Sequence, residues 1–382
     1  MRLLHIADLH IGKRVCEFPM LEDQRHVLAQ VVRLLGERKV DALLVAGDLY
    51  DKAMPSAEAV ALVDWFLGEV AATGVPAVVI PGNHDSAERV AYAGALMARH
   101  GIHVAPVFDG RIEPVVLGDG EEAVAIWPIP FLRPQTVRHF FPEEHIEDYT
   151  DAIRVVVGAC DLARYGQNVA VAHQFVTAGG ASPERSDSEV SVGGLDNVDA
   201  SAFAGFDYVA LGHIHRPQRI GADSIRYAGS ILKYSFSEVA GQKSAVLVTL
   251  GPRGTEPGIE LVPLEPVHDM RRIRGPIEAL TSPDVVASAD AEDYLQVVLT
   301  DEHPALDAMG RLRKVYPNVM GVEYDNARTR AAGLEPGEAP AEQAHEAPLD
   351  LFGEFYERQN GAAPSEAQLE IVRGEFEKLG VS

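Results

Sequence analysis

Five short clusters carry the groups in this 382-residue chain that could do chemistry: Asp8-Leu9-His10, Gly47-Asp48-Leu49-Tyr50-Asp51, Gly82-Asn83-His84-Asp85, His173 and Gly212-His213-Ile214-His215. Carboxylates, an amide carbonyl and neutral imidazoles suit Mn²⁺, Fe²⁺ or Zn²⁺, and no soft thiolate is offered among them. A carboxylate such as Asp48 can bridge two cations about 3.5–4 Å apart, the separation used for in-line displacement at phosphorus, and a water held there loses its proton near neutral pH. Taken singly, each cluster has a bland alternative. Asp-x-His and His-x-His arise by chance, a histidine after a strand is usually a hydrogen-bonded packing residue, and Gly47-Asp48 can be a plain strand exit. All five in this order, each directly after an apolar run, point to one divalent-metal pair.

Asp51 and Asp85 are expected to hold loops and partner groups in place rather than to touch metal. His5, His100, His103, His139 and His145 lie outside the clusters and are read as packing or surface residues. No Gly-x-x-x-x-Gly-Lys-[Ser/Thr] stretch occurs, so the chain carries no recognisable P-loop.

The clusters need elements to bring them together, and the first half alternates strands and helices. Leu3 to Ala7, Ala42 to Ala46 and Pro76 to Ile80 read as buried strands. Asp23 to Glu37 carries apolar residues at helical spacing, and Ser56 caps a second helix running to Val70. Further strands are expected at Ala123 to Trp127, Val169 to Ala172, Tyr208 to Leu211, Ile225 to Tyr227 and Ala245 to Leu250, with a helix over Asp148 to Tyr165. Such alternation predicts an α/β layered structure. In a sheet of this kind the strand ends that feed the next loops share one edge, where ligands bind. The tract Thr177 to Gly194 is rich in Gly, Ser and acidic residues and reads as a long functional loop.

Beyond Pro263 the character changes. Met270 to Gly275 holds Arg271, Arg272 and Arg274, followed by a helix-like piece, a strand at Tyr294 to Leu299 and an amphipathic helix over Leu306 to Tyr316. A small α/β domain over 266–330 is expected, and Arg271, Arg272 and Arg274 give it a basic cluster that the whole-chain charge conceals. Residues 331–348 have a linker composition. Residues 349–382 include an amphipathic helix, Ser365 to Leu379, that could dock on a partner.

Composition bounds the function. A formal net charge of −24 excludes a surface that binds DNA by charge alone, because such affinity comes from Lys and Arg neutralising phosphates. Any nucleic-acid role must rest on a local basic surface, on bound cations or on a partner. Two distant cysteines, Cys16 and Cys160, cannot make a disulfide framework. No signal-peptide core follows Met1 and no apolar run approaches about 20 residues, so a cytoplasmic protein with no membrane role is expected.

The clusters, together with Leu4 to Gly12, Gly82 to Arg89 (GNHDSAER), Gly193-Gly194, Phe206 to Gln218 (FDYVALGHIHRPQ) and Arg226 to Glu238 (RYAGSILKYSFSE), resemble the calcineurin-like metallophosphoesterase superfamily and its DNA double-strand-break repair nuclease branch. The resemblance covers roughly the first 265 residues. It implies a layered β-sandwich flanked by helices, with a capping domain and a helical C-terminal segment. Asp8, His10, Asp48 and His215 would hold one metal, and Asp48, Asn83, His173 and His213 the other, with Mn²⁺ the usual ion of the family and Mg²⁺, Fe²⁺ or Zn²⁺ as alternatives. His84 would be the catalytic residue beside the scissile phosphate. The resemblance further implies a homodimer within a heterotetramer with a coiled-coil ATPase. The implied activity is ATP-dependent 3′-5′ exonuclease action on duplex DNA and endonuclease action on single strands and hairpins.

Two other readings compete. One is a phosphoprotein phosphatase or small-molecule phosphodiesterase on the same scaffold; the phosphatases show Gly-Asp-x-x-Asp-Arg-Gly and Gly-Asn-His-Glu, whereas here Lys52-Ala53 follows Asp51 and Asp85 stands in place of Glu. A noncatalytic scaffold subunit should have lost a ligand, yet every expected one is present.

Overall fold

The computed structural model describes residues 1–120, 123–187, 189, 196–303, 305–327 and 329, with isolated positions at 356, 364, 365, 368, 369 and 372. Two six-stranded sheets form its centre. In chain order their strands are β1 (Arg2–Ile6), β2 (Ala42–Ala46), β3 (Ala77–Ile80), β4 (Ile102–Val104), β5 (Val115–Leu117), β6 (Val124–Ile129), β7 (Gln167–His173), β8 (Tyr208–Gly212), β9 (Gln218–Ile220), β10 (Ala222–Tyr227), β11 (Ser244–Thr249) and β12 (Gly258–Pro263). The first sheet has the order β12-β11-β1-β2-β3-β4 and the second β9-β10-β8-β7-β6-β5. Both are parallel at the centre (β1-β2-β3-β4 and β10-β8-β7-β6) with antiparallel strands added at the rims.

The strand sequences explain this arrangement. In β1, Leu3 points into the space between the sheets and Leu4 and Ile6 into the opposite face, where the helices Leu21–Glu37 and Ala57–Thr73 pack. A strand buried on both sides must be apolar throughout, which is why it reads as a continuous run. The second sheet repeats the pattern. Val169, Val171, Tyr208 and Ala210 face the first sheet, while Ala170, Ala172, Val209 and Leu211 face the helix Tyr149–Gly158. The result is helix, sheet, sheet, helix. One polar bridge crosses the inner layer, where His5 Nδ1 and the Tyr208 hydroxyl lie 3.0 Å apart, both fully buried.

Ser56 caps its helix as expected, accepting from the Ala59 N–H. The helix expected to reach Tyr165 ends at Gly158. Its buried face of Ala152, Ile153, Val156 and Val157 has no apolar continuation at Asp161 or Arg164, and only a 3-10 turn follows. Cys16 and Cys160 are free.

A third sheet, all parallel, joins β13 (Met270–Gly275), β14 (Tyr294–Leu299) and β15 (Val319–Tyr324). Leu295, Val297, Leu299 and Val319 pack there against Leu312 of the helix Ala308–Arg313. The sheet is fastened to the rest of the chain by Asp23, a fully buried carboxylate on the first long helix. Asp23 accepts from the His268 backbone N–H at 2.8 Å and from the Tyr294 hydroxyl at 2.9 Å. Among the described residues no helix is long and apolar enough to cross a membrane. The linker 331–348, most of segment 349–382 including the helix read over Ser365 to Leu379, and Gly193-Gly194 lie outside the described residues.

Candidate metal centre

Every cluster leaves the carboxyl end of a parallel strand. β1 leads into Asp8 and His10, β2 into Gly47-Asp48, and β3 into Asn83 and His84. β7 ends on His173, and β8 leads into His213 and His215. Because the two sheets stack face to face with these ends together, five loops meet at one rim. Backbone hydrogen bonds lock the first two loops to each other: Asp8 N–H to Gly47 O at 3.1 Å, and His10 N–H to Asp48 O at 2.9 Å.

The side chains converge. Asp8, His10 and His215 each offer a donor atom, all within 4.8 Å of one another, and so do Asp8, Asp48 and His173. His10 Nε2 and His215 Nε2 are 3.0 Å apart. Asp48 Oδ2 lies 3.4 Å from His173 Nε2 and 3.6 Å from His10 Nε2, between the two groups. On the far side Asn83 Oδ1 is 2.9 Å from His173 Nε2 and 3.0 Å from His213 Nδ1. All seven expected ligands are therefore in one cluster.

The residues fit a pair of divalent cations. His173 donates its Nδ1–H to Ala46 O at 2.8 Å, which fixes Nε2 as the atom free for a ligand. His10 Nδ1 lies 3.8 Å from Asp51 Oδ1, too far for a hydrogen bond, and among the described residues this buried nitrogen has no hydrogen-bond partner. Burial, with lesser contributions from neighbouring charges, pushes His10 and His213 down to about 3 and His215 well below its usual value. Neutral imidazoles are the form that binds metal; His173 departs from the other three, since its burial is outweighed by Asp48 and Asp8, which raise it to about 9. Burial also drives Asp8 upward. For Asp48 burial acts the same way, but the imidazoles of His173, His10 and His84 outweigh it and hold the carboxyl well below the carboxylate range.

The glycines that precede the ligands leave room for them. A Cβ on Gly212 would sit 1.9 Å from Ala46 O and 2.8 Å from His173 Nδ1, and one on Gly47 would sit 2.3 Å from the same nitrogen. No side chain fits where β2, β7 and β8 approach this closely.

Asp85 and Asp51 lie beside the cluster, on the loops that carry Asn83 and Asp48. Asp85 accepts from three backbone N–H groups, Leu49 at 3.0 Å, Tyr50 and Gly82 both at 2.9 Å, and so ties the Asp48 loop to the Asn83 loop. Asp51 takes Lys13 Nζ at 2.9 Å. His84 is only partly buried, its N–H donates to Asp48 Oδ1 at 2.9 Å, and its ring stands edge-on to His10 at 4.9 Å. Its Nδ1–H donates to Asp51 O at 3.1 Å.

The sequence reading missed a group around His215. Glu189 accepts from the His215 N–H at 2.7 Å, and buried Lys243 donates to His215 O at 2.7 Å, to Ser230 Oγ and to Glu238. Burial raises Glu189 to about 7. Single residues scattered over fifty positions give no local pattern, although Glu189 does sit in the tract read as a functional loop.

The three arginines of the capping sheet are not at this rim cluster. They lie on β13, where Arg271 pairs with Asp293 at 2.5 Å, Arg274 pairs with Asp325, and Arg272 donates to Gln296 at 2.7 Å. An edge strand with one solvated face tolerates such residues, which is why the strand was hidden in the sequence.

Comparison with known proteins gives the family. The family described as "Calcineurin-like phosphoesterase" matches residues 1–217, and the SbcD C-terminal family, described as "Type 5 capsule protein repressor C-terminal domain", matches residues 266–360. The chain is 28% identical over 323 residues to the SbcD subunit of the nuclease SbcCD of Staphylococcus epidermidis, covering 84% of this chain and 85% of that one. Among solved structures it is similar to the protein TT1561 of Thermus thermophilus (TM-score 0.40, 14% identity, 68% of this chain and 98% of that one). It is also similar to a dimetal phosphatase from Danio rerio (TM-score 0.40, 11% identity, 69% of this chain and 99% of that one). With more than half of its length matched by that family, the chain belongs to the calcineurin-like phosphoesterase family.

Proposed function

We propose that the protein is a two-metal DNA phosphodiesterase, the nuclease subunit of an SbcCD-like complex. The observation that carries this is the position of His84, partly exposed beside a closed set of seven donors and bonded to Asp48 through its backbone. Asp8, His10, Asp48 and His215 would hold one Mn²⁺, and Asp48, Asn83, His173 and His213 the second. Bound there, the cations supply an activated water and neutralise charge on the phosphoryl oxygens. The chain's own residues do the rest. His84 keeps Nδ1–H on Asp51 O, which leaves Nε2 to stabilise the reacting phosphate or give a proton to the departing oxygen. Asp85 keeps the two ligand loops in register, and Glu189 and Lys243 hold the His215 backbone from both sides.

The match to the S. epidermidis nuclease subunit along most of both chains supports the branch, as do Lys52-Ala53 and Asp85 in place of the phosphatase residues. On this reading residues 1–265 are the nuclease domain and 266–330 the cap, with Arg271, Arg272 and Arg274 on its DNA side. Residues 331–348 link to segment 349–382, which binds an SbcC-like coiled-coil ATPase. The chain dimerises within a cytoplasmic heterotetramer serving DNA repair, recombination and replication. The reactions are ATP-dependent 3′-5′ exonuclease cleavage of duplex DNA and endonuclease cleavage of single strands and hairpins. Incubation of the purified chain with Mn²⁺ and labelled hairpin DNA, with and without the ATPase, tests this. Metal-dependent cutting is expected, and phosphomonoester hydrolysis with no cutting of DNA would refute it.

A further inference from the structure

Two arginines lie over aromatic rings that flank the metal centre on its His173 and His213 side. Phe131 meets His173 edge-on with centroids 6.4 Å apart, and the Arg133 guanidinium lies 5.9 Å over the Phe131 ring. Phe175 meets His213 in the same way at 6.4 Å, and Arg185 lies 4.0 Å over Phe175. Both rings are fixed to the loops that carry the ligands. The Phe131 N–H donates to Pro81 O at 3.2 Å, just before Asn83, and Phe175 is a buried residue two positions beyond His173.

Both arginines are exposed, and among the described residues neither guanidinium has a carboxylate partner. That sets them apart from Arg216, Arg271 and Arg274, which are paired with Glu184, Asp293 and Asp325. Among the described residues, these two are the arginines that lie over rings in contact with candidate ligands; Arg25, Arg164 and Arg313 lie over rings elsewhere. A ring beneath it attracts the guanidinium through its π face and leaves the N–H groups available for an oxyanion. A polynucleotide brings such oxyanions at regular spacing on either side of the phosphodiester being cut.

We propose that Arg133 and Arg185 form a clamp for backbone phosphates flanking the one at the metal pair, so that an acidic chain holds DNA by two local contacts. This rests on the nuclease reading. It separates substrates by size, because a small diester has one phosphate and cannot reach the clamp.

The test uses the full chain with Arg133→Gln/Arg185→Gln and Arg133→Lys/Arg185→Lys. Binding of fluorescent hairpin DNA is followed at several salt concentrations, beside hydrolysis of bis(p-nitrophenyl) phosphate with Mn²⁺. For the glutamine variant, DNA Kd should rise by about tenfold, and the slope of log Kd against log salt should drop by about 1.8, about 0.9 for each lost phosphate contact. Its kcat/KM on the small diester should fall by less than about threefold. The lysine variant, which keeps the charge, should keep most of the salt slope. Unchanged Kd and slope in the glutamine variant, while the parent protein cuts DNA, would overturn the clamp alone. An equal loss on both substrates would also overturn it, by placing the arginines at the reacting phosphate. A parent protein that cuts neither substrate would overturn the nuclease reading and the clamp with it.

Discussion

Asp8, His10, Asp48 and His213 hold backbone φ angles of 51°, 44°, 50° and 100°, a region side chains rarely adopt. Such conformations cost about 1–3 kcal/mol each and persist where the surrounding fold over-determines them, commonly at functional sites. Here the fold strains four residues to aim their donors at one place. His84 is different, since its φ is ordinary and its ring sits beside the cluster rather than inside it. His84→Leu should therefore lower kcat on a diester by about 10²- to 10⁴-fold while two metals still bind, checked by kinetics with elemental analysis. Full activity in that variant would remove His84 from the chemistry. His5 gives a prediction about pH. Burial lowers it from its usual 6.5 to about 3, so below pH 6.5 the unfolded chain takes up a proton that the folded chain refuses. Stability from this group is intact above pH 6.5 and is lost as pH falls toward 3, by about 2 kcal/mol at pH 5. Replacing both partners, His5→Phe/Tyr208→Phe, should change the thermal midpoint little at pH 8 and flatten its decline between pH 7 and 5. An unchanged decline would exclude His5 as its source.

At the scale of elements, the sheets work by close approach. Gly212→Ala should cost about 3 kcal/mol, because β8 must move away from Ala46 O to admit a Cβ. Gly68→Ala, in the helix Ala57–Thr73 with nothing within 4 Å of the added carbon, should gain about 0.5–1 kcal/mol. Urea unfolding of the two variants measures both signs. The contrast explains what was legible beforehand. Buried parallel strands such as β2 and β8 must be apolar from end to end, so the first polar residue after each run marks the rim, and the seven candidate ligands could be read there. Contacts between side chains on separate loops leave no such trace. Nothing local ties Glu189 to His215, or Arg133 through Phe131 to His173. The strand β13 was hidden because its arginines pair with Asp293 and Asp325, carboxylates 22 and 51 positions away. Asp23 shows the same limit. It reads as one more acidic residue at a helix start, yet it anchors the third sheet. Asp23→Ala leaves the Tyr294 hydroxyl and the His268 N–H without their acceptor. It should raise hydrogen exchange across 268–299 while β1 to β3 stay protected.

At the scale of the molecule, a net charge of −24 surrounds a centre that, on the nuclease reading, has to attract polyanions. Long-range repulsion of that kind slows association and is screened by salt, so what decides binding is local: cations in the rim, the unpaired arginines beside them, and a partner's surface. Ending the chain after residue 330 should abolish co-purification with a coiled-coil ATPase while metal-dependent hydrolysis of a small diester persists. Retained association would move the partner surface elsewhere. All of this depends on two cations sharing Asp48. Anomalous scattering from crystals soaked in Mn²⁺ tests it most directly. Two peaks are expected about 3.5–4 Å apart. One should lie among Asp8, His10 and His215, the other among Asn83, His173 and His213, with Asp48 between them. A single peak, or two that do not both touch Asp48, would contradict the bridged pair.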